Sequence, residues 1–440
     1  SAQVTFGSGG LPSDNWTTLT IAEGELVLRG TSDSAAFTMS GTAASYVGIP
    51  VSTVAAQPGL VVDHATATLQ STNHFHLGSG CASTRTGATA PYLVLTNGAT
   101  LNVTSFRCAW NAPGCMPSVR VDASTLDVSE YVYALESGTE GDEPTYRFTH
   151  GAKLLAPYDA TPNHALVFGS RAVTLEFDAS SFKGRSGAYN GNGKVRVADP
   201  AGSGKMIFRN GSTFKCDAVG CETTAPLTLQ FDDSEWIPGT NDYTFTTLNP
   251  VYAASLKIET TGGGLNLAPP AGKVWTMSTP VTGAGGLVKS GAGTLAFTGT
   301  TTLAFAGTLD VREGAVTIAA GAAKAGAKLT GSGAVTNATL TAATILAPLG
   351  QDNTVPEILT FKDCAFVGTT CVDFGRTSTN KVERPFPTVT VAKWSGVSAP
   401  NLSGWKLTGT GEEQVAGAFS IVGDEIRVTP RMSGMMIKIR

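Results

Sequence analysis

The sequence predicts an all-β fold and, within that class, a β-solenoid in which short strands stack coil upon coil. Two observations support this: 52 glycines and 22 prolines lie among 440 residues, and one strand–turn–strand unit recurs along the chain. Glycine and proline interrupt helices, which excludes an all-α fold. Charged residues make up 15% of the chain and the net charge is −4. This balance excludes wholesale disorder and argues against a nucleic-acid partner, which needs clustered Lys and Arg.

The repeated unit is an alternating apolar strand that enters a small polar turn, after which a new strand starts with a large apolar residue. Its copies include LVLTNGATLNV, VRVDASTLDV, YRFTHGAKLLA, LEFDASSFKG, IFRNGSTFKC and LQFDDSEWIP. Successive turns lie 22 to 32 residues apart, a period typical of solenoids. A β-sandwich would place turns every 8–12 residues without repeating this longer unit. We assign the repeat corners to Asn97, Asp122, His150, Asp178, Asn210 and Asp232.

A more specific signal is the segment GGLVKSGAGTLAFTG at Gly285–Gly299, followed by GTLDVREGAVTI at Gly307–Ile318. This segment resembles the passenger-associated, or autotransporter-associated, β-strand repeat of bacterial surface proteins. The matching positions are Gly285, Gly286, Leu287, Lys289, Gly291, Gly293, Thr294, Leu295, Gly299, Gly307, Thr308, Leu309, Val311 and Gly314. The resemblance implies an exported, right-handed parallel β-helix. Because no strands of the membrane-barrel type follow, we expect a barrel-less member of this group, secreted or held at the cell surface.

The chain is predicted to form one elongated domain with capping strands at both ends. Residues 1–60 are assigned to an N-terminal cap and the first coils, and residues 61–260 to a cysteine-bearing solenoid. Residues 261–350 are assigned to Gly/Ala-rich repeat coils, and residues 351–440 to the last coils and a C-terminal cap. No apolar run approaches the ~18 residues that a membrane helix needs, so no membrane span is expected.

Six of the seven cysteines fall into close sequence pairs, which suits short disulfides in an oxidising compartment. The intervals do not match the C-x2-C of zinc or redox sites. The predicted disulfide cysteines are Cys108 with Cys115, Cys216 with Cys221, and Cys364 with Cys371. Cys81 is left over and is either free or a competitor for Cys108 or Cys115, because connectivity cannot be read from sequence. The alternative to disulfides is that all seven cysteines are buried thiols.

Candidate catalytic and metal-binding residues are few. GSGKM at Gly202–Met206 lacks the spacing and the Ser/Thr of a phosphate loop. His74 and His76 would share one strand face, but no acidic residue or cysteine lies close on that strand, so we interpret them as a surface pair. The carboxylates of FDDSEW are what a repeat corner alone produces, and the acidic loop after Leu135 lacks a fixed calcium spacing. We therefore predict no catalytic residue, no metal site and no cofactor.

The sequence thus predicts a non-catalytic extracellular structural protein that self-associates end to end into a fibre or layer. Exposed strand edges at the terminal coils invite such pairing, and the apolar Met435, Ile437 and Ile439 near the C-terminus need cover. One alternative is a monomeric adhesin that binds a glycan or a host surface, for which we expect an exposed aromatic ladder. Another is a polysaccharide lyase or glycoside hydrolase, which needs stacked acidic and basic residues on adjacent coils.

Overall fold

A computed structural model gives the structure of the chain. It describes residues 2–6, 19–32, 35–41, 44–48, 57–71, 74–79, 90–110, 112, 115–135, 144–156, 166–184, 195–217, 219–221, 223–246, 250–300, 302–350, 352–376, 387–396, 398–410 and 415–432. The chain divides into two compact units. The first comprises Ser1–Gly239 and Thr246–Ile258, and the second comprises Thr240–Phe245 and Glu259–Arg440.

The strands of the first unit are short, and most contain three to seven residues. In chain order they are β1 Ala2–Phe6, β2 Thr20–Ile21, β3 Glu25–Gly30, β4 Ala36–Gly41, β5 Ser45–Val47, β6 Gly59–Asp63, β7 Thr66–Ser71, β8 Phe75–Ser79, β9 Tyr92–Thr96, β10 Thr100–Val103, β11 Phe106–Trp110, β12 Ser118–Asp122, β13 Thr125–Val128, β14 Val132–Leu135, β15 Thr145–Thr149, β16 Lys153–Leu155, β17 Leu166–Phe168, β18 Ala172–Asp178, β19 Ser181–Lys183, β20 Val195–Val197, β21 Ser203–Arg209, β22 Thr213–Lys215, β23 Val219–Cys221 and β24 Leu227–Ile237.

The second unit is also built from strands. The short 3-10 helix Pro250–Ser255 belongs to the first unit. Its strands are β25 Tyr243–Phe245, β26 Leu256–Leu267, β27 Val274–Met277, β28 Val281–Gly283, β29 Leu287–Lys289, β30 Thr294–Phe297, β31 Thr308–Val311, β32 Ala315–Ile318, β33 Lys328–Gly331, β34 Ala334–Thr336, β35 Thr339–Thr341, β36 Thr344–Leu346, β37 Thr360–Lys362, β38 Ala365–Val367, β39 Thr370–Arg376, β40 Val389–Ser395, β41 Trp405–Thr410, β42 Val415–Val422 and β43 Glu425–Met432. Of these, β26 begins at Leu256, three residues before the longer segment of the second unit, which starts at Glu259.

Three parallel ladders form the walls of the first unit, because most strands pair with the strand three places earlier in the chain. The first ladder is β1-β3-β6-β9-β12-β15-β18-β21-β24. The second ladder is β4-β7-β10-β13-β16-β19-β22-β24. The third ladder is β2-β5-β8-β11-β14-β17-β20-β23. One strand from each ladder makes one coil, so the predicted all-β parallel solenoid is confirmed.

The core of the first unit is a set of aromatic stacks that run from coil to coil. Phe148, Phe177, Phe208 and Phe231 occupy the same register position of the first ladder, with ring centroids 4.7, 4.9 and 5.3 Å apart in succession. A second stack on the second ladder joins Phe182, Phe214 and Trp236. Because the side chains of a strand alternate between its two faces, each coil adds one ring to each stack. Stacking therefore buries the apolar row that a single coil leaves exposed.

The corner between the first and second ladders has two alternating forms. In the long form an Asn or His adopts positive φ and a glycine follows it, as at Asn97, His150 and Asn210, with φ of 57°, 54° and 56°. In the short form an Ala or Asp takes the positive φ, as at Ala123, Ala179 and Asp233. Of the predicted corner residues, Asp122, Asp178 and Asp232 lie one residue before the positive-φ residue, in strand conformation.

The second unit is built from the same kind of parallel coil. One ladder runs β26-β29-β31-β33-β36-β39-β41, and another runs β25-β27-β30-β32-β34-β37-β40. The latter ends differently, because β43 pairs antiparallel with β40 and β42 pairs antiparallel with β43. An antiparallel hairpin thus closes this ladder. Residues 433–440, with the three apolar residues expected to need cover, lie outside the described residues.

Lys289 explains one position of the glycine-rich repeat. Its side chain is fully buried, and its Nζ donates hydrogen bonds to the carbonyl oxygens of Gly291 and Glu313, at 2.6 and 2.7 Å. Glu313 belongs to the next coil, since Lys289 pairs in register with Val311. Burial lowers the pKa of the Lys289 ammonium to about 8, although the Glu313 carboxylate opposes this shift. The lysine therefore ties two coils together through backbone carbonyls.

The repeat glycines are required by close approach of the backbones of neighbouring coils. A Cβ at Gly307 would lie 2.3 Å from the Gly285 carbonyl oxygen, and a Cβ at Gly286 would lie 2.5 Å from that of Thr308. Both distances are well below van der Waals contact, so any larger residue would force the coils apart.

Across the described part of the chain, no helix is long and apolar enough to cross a membrane.

Candidate ligand-binding face

The outward side chains of the third ladder form a column of polar aromatic and basic groups. Its strands contain the triads SYV, FHL, FRC and VYA, whose first and third residues are buried in the core. The middle residues fall in register on four successive coils. We call Tyr46, His76, Arg107 and Tyr133 the aromatic–cationic column.

Neighbouring members of the column are in contact through their ring faces. The Tyr46 and His76 rings stack with centroids 5.0 Å apart and an interplanar angle of 7°. The Arg107 guanidinium carbon lies 5.2 Å from the centroid of the Tyr133 ring, within the range of a cation–π contact. The column thus consists of two stacked pairs, Tyr46 with His76 and Arg107 with Tyr133, on successive coils.

A second row of polar residues flanks the column, two residues earlier in each of three coils. It consists of His74, Ser105 and Tyr131, which immediately precede β8, β11 and β14. The Ser105 hydroxyl and His74 Nδ1 are 2.5 Å apart, and the Tyr131 hydroxyl lies 3.1 Å from the same nitrogen. Arg107 Nη2 donates to the Tyr131 hydroxyl at 2.7 Å, and its guanidinium carbon lies 5.3 Å from the Tyr131 ring centroid. Arg107 therefore joins the flanking row to the column.

The two imidazoles of this face are neutral near pH 7. Burial lowers the pKa of His76 to about 4, with help from His74 and the positive charge of Arg107. Burial also lowers the pKa of His74, and Arg107 adds to the shift. Because a neutral imidazole both donates and accepts, the partly exposed His74 can hydrogen-bond to a hydroxyl-bearing ligand, whereas the buried His76 supports the ring of Tyr46.

Arg196 extends the positive charge along the same register. It lies two coils beyond Tyr133, with Val167 between them. A hydrogen bond connects the Arg196 side chain to Tyr133, and burial lowers its pKa from the usual arginine value. Tyr133 is therefore contacted by two arginines, Arg107 over its ring and Arg196 through hydrogen bonding. The face presents guanidinium groups, phenol groups and imidazoles, which suit binding of an anionic or hydroxyl-rich ligand.

The structure corrects the surface interpretation of the histidine pair. His74 and His76 do lie together, with ring centroids 5.6 Å apart in an edge-to-face arrangement. However, His76 is only 2% exposed. The ring of Tyr46 on the preceding coil covers it, which the spacing of two residues within one strand could not reveal. Among the described residues, no three His, Cys, Asp or Glu side chains form a group that could hold a metal ion.

The cysteines whose side chains the structure describes are thiols. Cys108 and Cys115 are buried near the hydroxyl of Tyr146, and no bond joins their sulfurs. Cys364 and Cys371, on either side of β38, are likewise free thiols in the structure. The side chain of Cys221 and all of Cys81 lie outside the described residues.

The carboxylates of FDDSEW are spread around one corner. Asp232 pairs in register with Arg209, Asp233 takes the positive φ of the corner, and Glu235 pairs with Thr213 on the second ladder. Burial raises the pKa of Glu235, and Lys215 opposes that shift. The acidic loop at residues 136–143 lies outside the described part of the chain.

The sequence interpretation missed the aromatic–cationic column, because it was built on the corner motif and not on the third strand of each coil. Its members lie 30, 31 and 26 residues apart, each at the centre of an apolar triad. Aligning the third strand of each coil, rather than the corner motif, would have placed them in one column. No protein-family profile matches the chain, and no curated protein is significantly similar to it.

Proposed function

We propose that this protein is a non-catalytic extracellular β-solenoid that binds a glycan through the aromatic–cationic column. The observation that carries the proposal is the register of Tyr46, His76, Arg107 and Tyr133 on four successive coils. Sugars offer hydroxyl groups that phenols, imidazoles and guanidinium groups can hydrogen-bond. A column that repeats at the coil spacing of ~4.8 Å suits an extended ligand rather than a compact one.

Rigid coils support this role, because a binding column works only if its members keep their spacing. The rings of Phe75 and Phe106, on the strands of His76 and Arg107, stack inside the coils with centroids 5.7 Å apart. The corners fix the coils from outside, since Asn97 Nδ2 donates to Asp63 Oδ1 of the preceding coil at 2.7 Å. A scaffold of this kind presents the column without first ordering a loop, which lowers the entropic cost of binding.

An extracellular location is part of the proposal, and it rests on the resemblance of Gly285–Ile318 to the repeat of bacterial surface proteins. The contacts of Lys289 and the tight packing at Gly286 and Gly307 give those repeat positions a physical role in stacking coils. The absence of a catalytic role is likewise proposed, since the column contains groups that bind and position rather than an acid and a base held near a scissile bond.

A glycan array tests the proposed function. The full chain should bind a subset of immobilised glycans at pH 7, and the bound glycans should be recovered without new reducing ends or unsaturated uronides. Tyr131→Ala should abolish binding, because Tyr131 contacts both His74 and Arg107. Tyr252→Ala, a half-exposed tyrosine of the 3-10 helix, is the matched control and should leave binding unchanged. An array without hits, from protein shown to be folded, contradicts the proposal.

Self-association into a fibre is a second candidate function. Among the described strands, β1 hydrogen-bonds to β3 alone, which leaves one edge for another strand. At the other end, the antiparallel hairpin β42–β43 closes one ladder. Light scattering of the full chain against a variant lacking Ala2–Phe6 tests this function. Concentration-dependent assembly that needs these residues supports it, whereas a monodisperse monomer at high concentration contradicts it.

A further inference from the structure

We propose that the aromatic–cationic column binds an acidic polysaccharide, one whose sugars carry carboxylate or sulfate groups, with its chain running from coil to coil. This inference rests on the proposed glycan-binding function and specifies its ligand. It is carried by the position of Arg107 at the centre of the column and by Arg196 further along the same register.

The charged groups of the column register are arginines. Arg107 is cationic at neutral pH, and the imidazoles beside it are neutral. A guanidinium is planar and has five N–H donors, so it can hold the Tyr131 hydroxyl and an oxyanion at the same time. The 2.7 Å contact with Tyr131 and the two ring contacts fix the orientation of the Arg107 guanidinium before any ligand arrives.

The length of the face indicates a polymer. Tyr46 and Arg196 are separated by five steps between coils, which corresponds to ~24 Å at the spacing of parallel strands. Arg107 and Arg196 lie three steps apart, or ~14 Å. A polysaccharide with an acidic group on recurring sugars can contact both arginines, whereas one monosaccharide cannot.

A sugar polymer fits the face better than single-stranded nucleic acid does. Proteins bind single strands by stacking bases on open aromatic faces. Here the Tyr46 ring stacks on His76 and the Tyr133 ring lies against Arg107, so these faces already have protein partners. What the face offers a ligand is hydroxyl, imidazole and guanidinium groups, which match sugar hydroxyls and acidic groups.

Biolayer interferometry with the full chain tests the proposal. The probes are polygalacturonate for carboxylates, heparin for sulfates, dextran as a neutral polysaccharide and poly(dT) as a polyanion without sugar acids. We expect binding to polygalacturonate or heparin, and the stronger of the two identifies the acidic group. Because binding is charge-assisted, it should weaken as NaCl rises. Dextran and poly(dT) should bind at least about tenfold more weakly.

Arg107→Gln should weaken binding of the acidic probe at least about tenfold, the loss of one charge-assisted hydrogen bond. Arg107→Lys keeps the charge but not the planar fork, so its affinity should lie between that of the unmodified chain and that of Arg107→Gln. Arg147→Gln is the matched control: Arg147 is an exposed arginine of the first ladder that pairs with Glu176, so binding should not change. The thermal transition of each variant shows that it is folded.

The results separate failure of this inference from failure of the proposed function. Equal binding of dextran and the acidic probes, unaffected by Arg107→Gln and by NaCl, overturns the acidic class and leaves glycan binding standing. Absence of binding to every polysaccharide contradicts both proposals. Binding of poly(dT) alone, lost in Arg107→Gln, overturns the sugar assignment. If Arg107→Gln does not fold, the salt dependence of the unmodified chain decides whether charge carries the binding.

Discussion

Asn210 Nδ2 donates a hydrogen bond to Asp178 Oδ1 at 2.7 Å, across 32 residues of sequence and from one coil to the next. The same bond joins Asn97 to Asp63, and His150 takes the place of the asparagine opposite Asp122, at 2.6 Å. Each pair links the αL residue of a long corner to the aspartate of the preceding short corner. The structural repeat is therefore two coils.

Breaking the corner bond should cost little free energy, because the bond is exposed to water. Asn210→Ala removes the donor, and alanine tolerates the left-handed φ, as Ala179 shows at the neighbouring corner. We expect a loss of about 1 kcal/mol for Asn210→Ala, and a coupling of about 0.5–1 kcal/mol with Asp178→Ala in a double-mutant cycle. Strictly additive effects of the two substitutions on the unfolding free energy would show that the bond contributes nothing.

The aromatic stack predicts much larger effects inside the coils. Phe177 is fully buried and stacks on Phe148 and Phe208. Phe177→Ala should destabilise the first unit by about 3–5 kcal/mol, and Phe177→Leu by less, since leucine leaves a smaller cavity. Val251→Ala, at an exposed site, is the control and should have little effect. Chemical denaturation followed by circular dichroism measures the differences, and an effect of Phe177→Ala as small as that of the control would contradict the packing.

The sequence was sufficient to predict the coils but not their details. The alternation of apolar residues and the corner motifs predict the solenoid, because both are local properties of the sequence. The corner motifs look alike in sequence and do not show which residue adopts positive φ. At the first of these corners it is Asn97 itself, whereas at the next it is Ala123, the residue after Asp122. The burial of His76 depends on Tyr46, one coil earlier, and the register between coils is not written in a local pattern. The same holds for the aromatic–cationic column.

Lys289 predicts a pH dependence of stability. Its pKa is about 8 in the folded protein and 10.5 ordinarily. Between these values the unfolded chain binds more protons than the folded one, so the contribution of Lys289 to stability rises as pH increases from 8 to 10.5. The full rise is up to about 3 kcal/mol.

Comparing Lys289→Met with the unmodified chain between pH 7 and pH 10.5 isolates this contribution. The difference in melting temperature between the two should change across the window, in favour of the unmodified chain as pH rises. Lys257→Met, on an exposed position of β26, should show no such trend. A pH-independent difference for Lys289→Met would mean that this ammonium keeps its ordinary pKa when buried.

The thiols should differ in reactivity. Burial raises the pKa of Cys108 to about 12, although a hydrogen bond with Tyr146 opposes the shift. Cys371 is partly exposed. Iodoacetamide at pH 8 should therefore label Cys371 in the native protein well before Cys108, because the thiolate is the reactive form. Mass spectrometry of peptides gives the order, and a Cys364–Cys371 bridge in a non-reducing digest would contradict the free thiols of the structure.

Hydroxyl-radical footprinting shows whether the outward column of the third ladder is the ligand-binding face. Oxidation of tyrosines is measured in the full chain with and without the acidic polysaccharide that binds it. We expect the ligand to lower oxidation of Tyr46, Tyr131 and Tyr133 and to leave that of Tyr252 unchanged. Protection elsewhere on the chain, with these three tyrosines oxidised as before, would contradict this assignment.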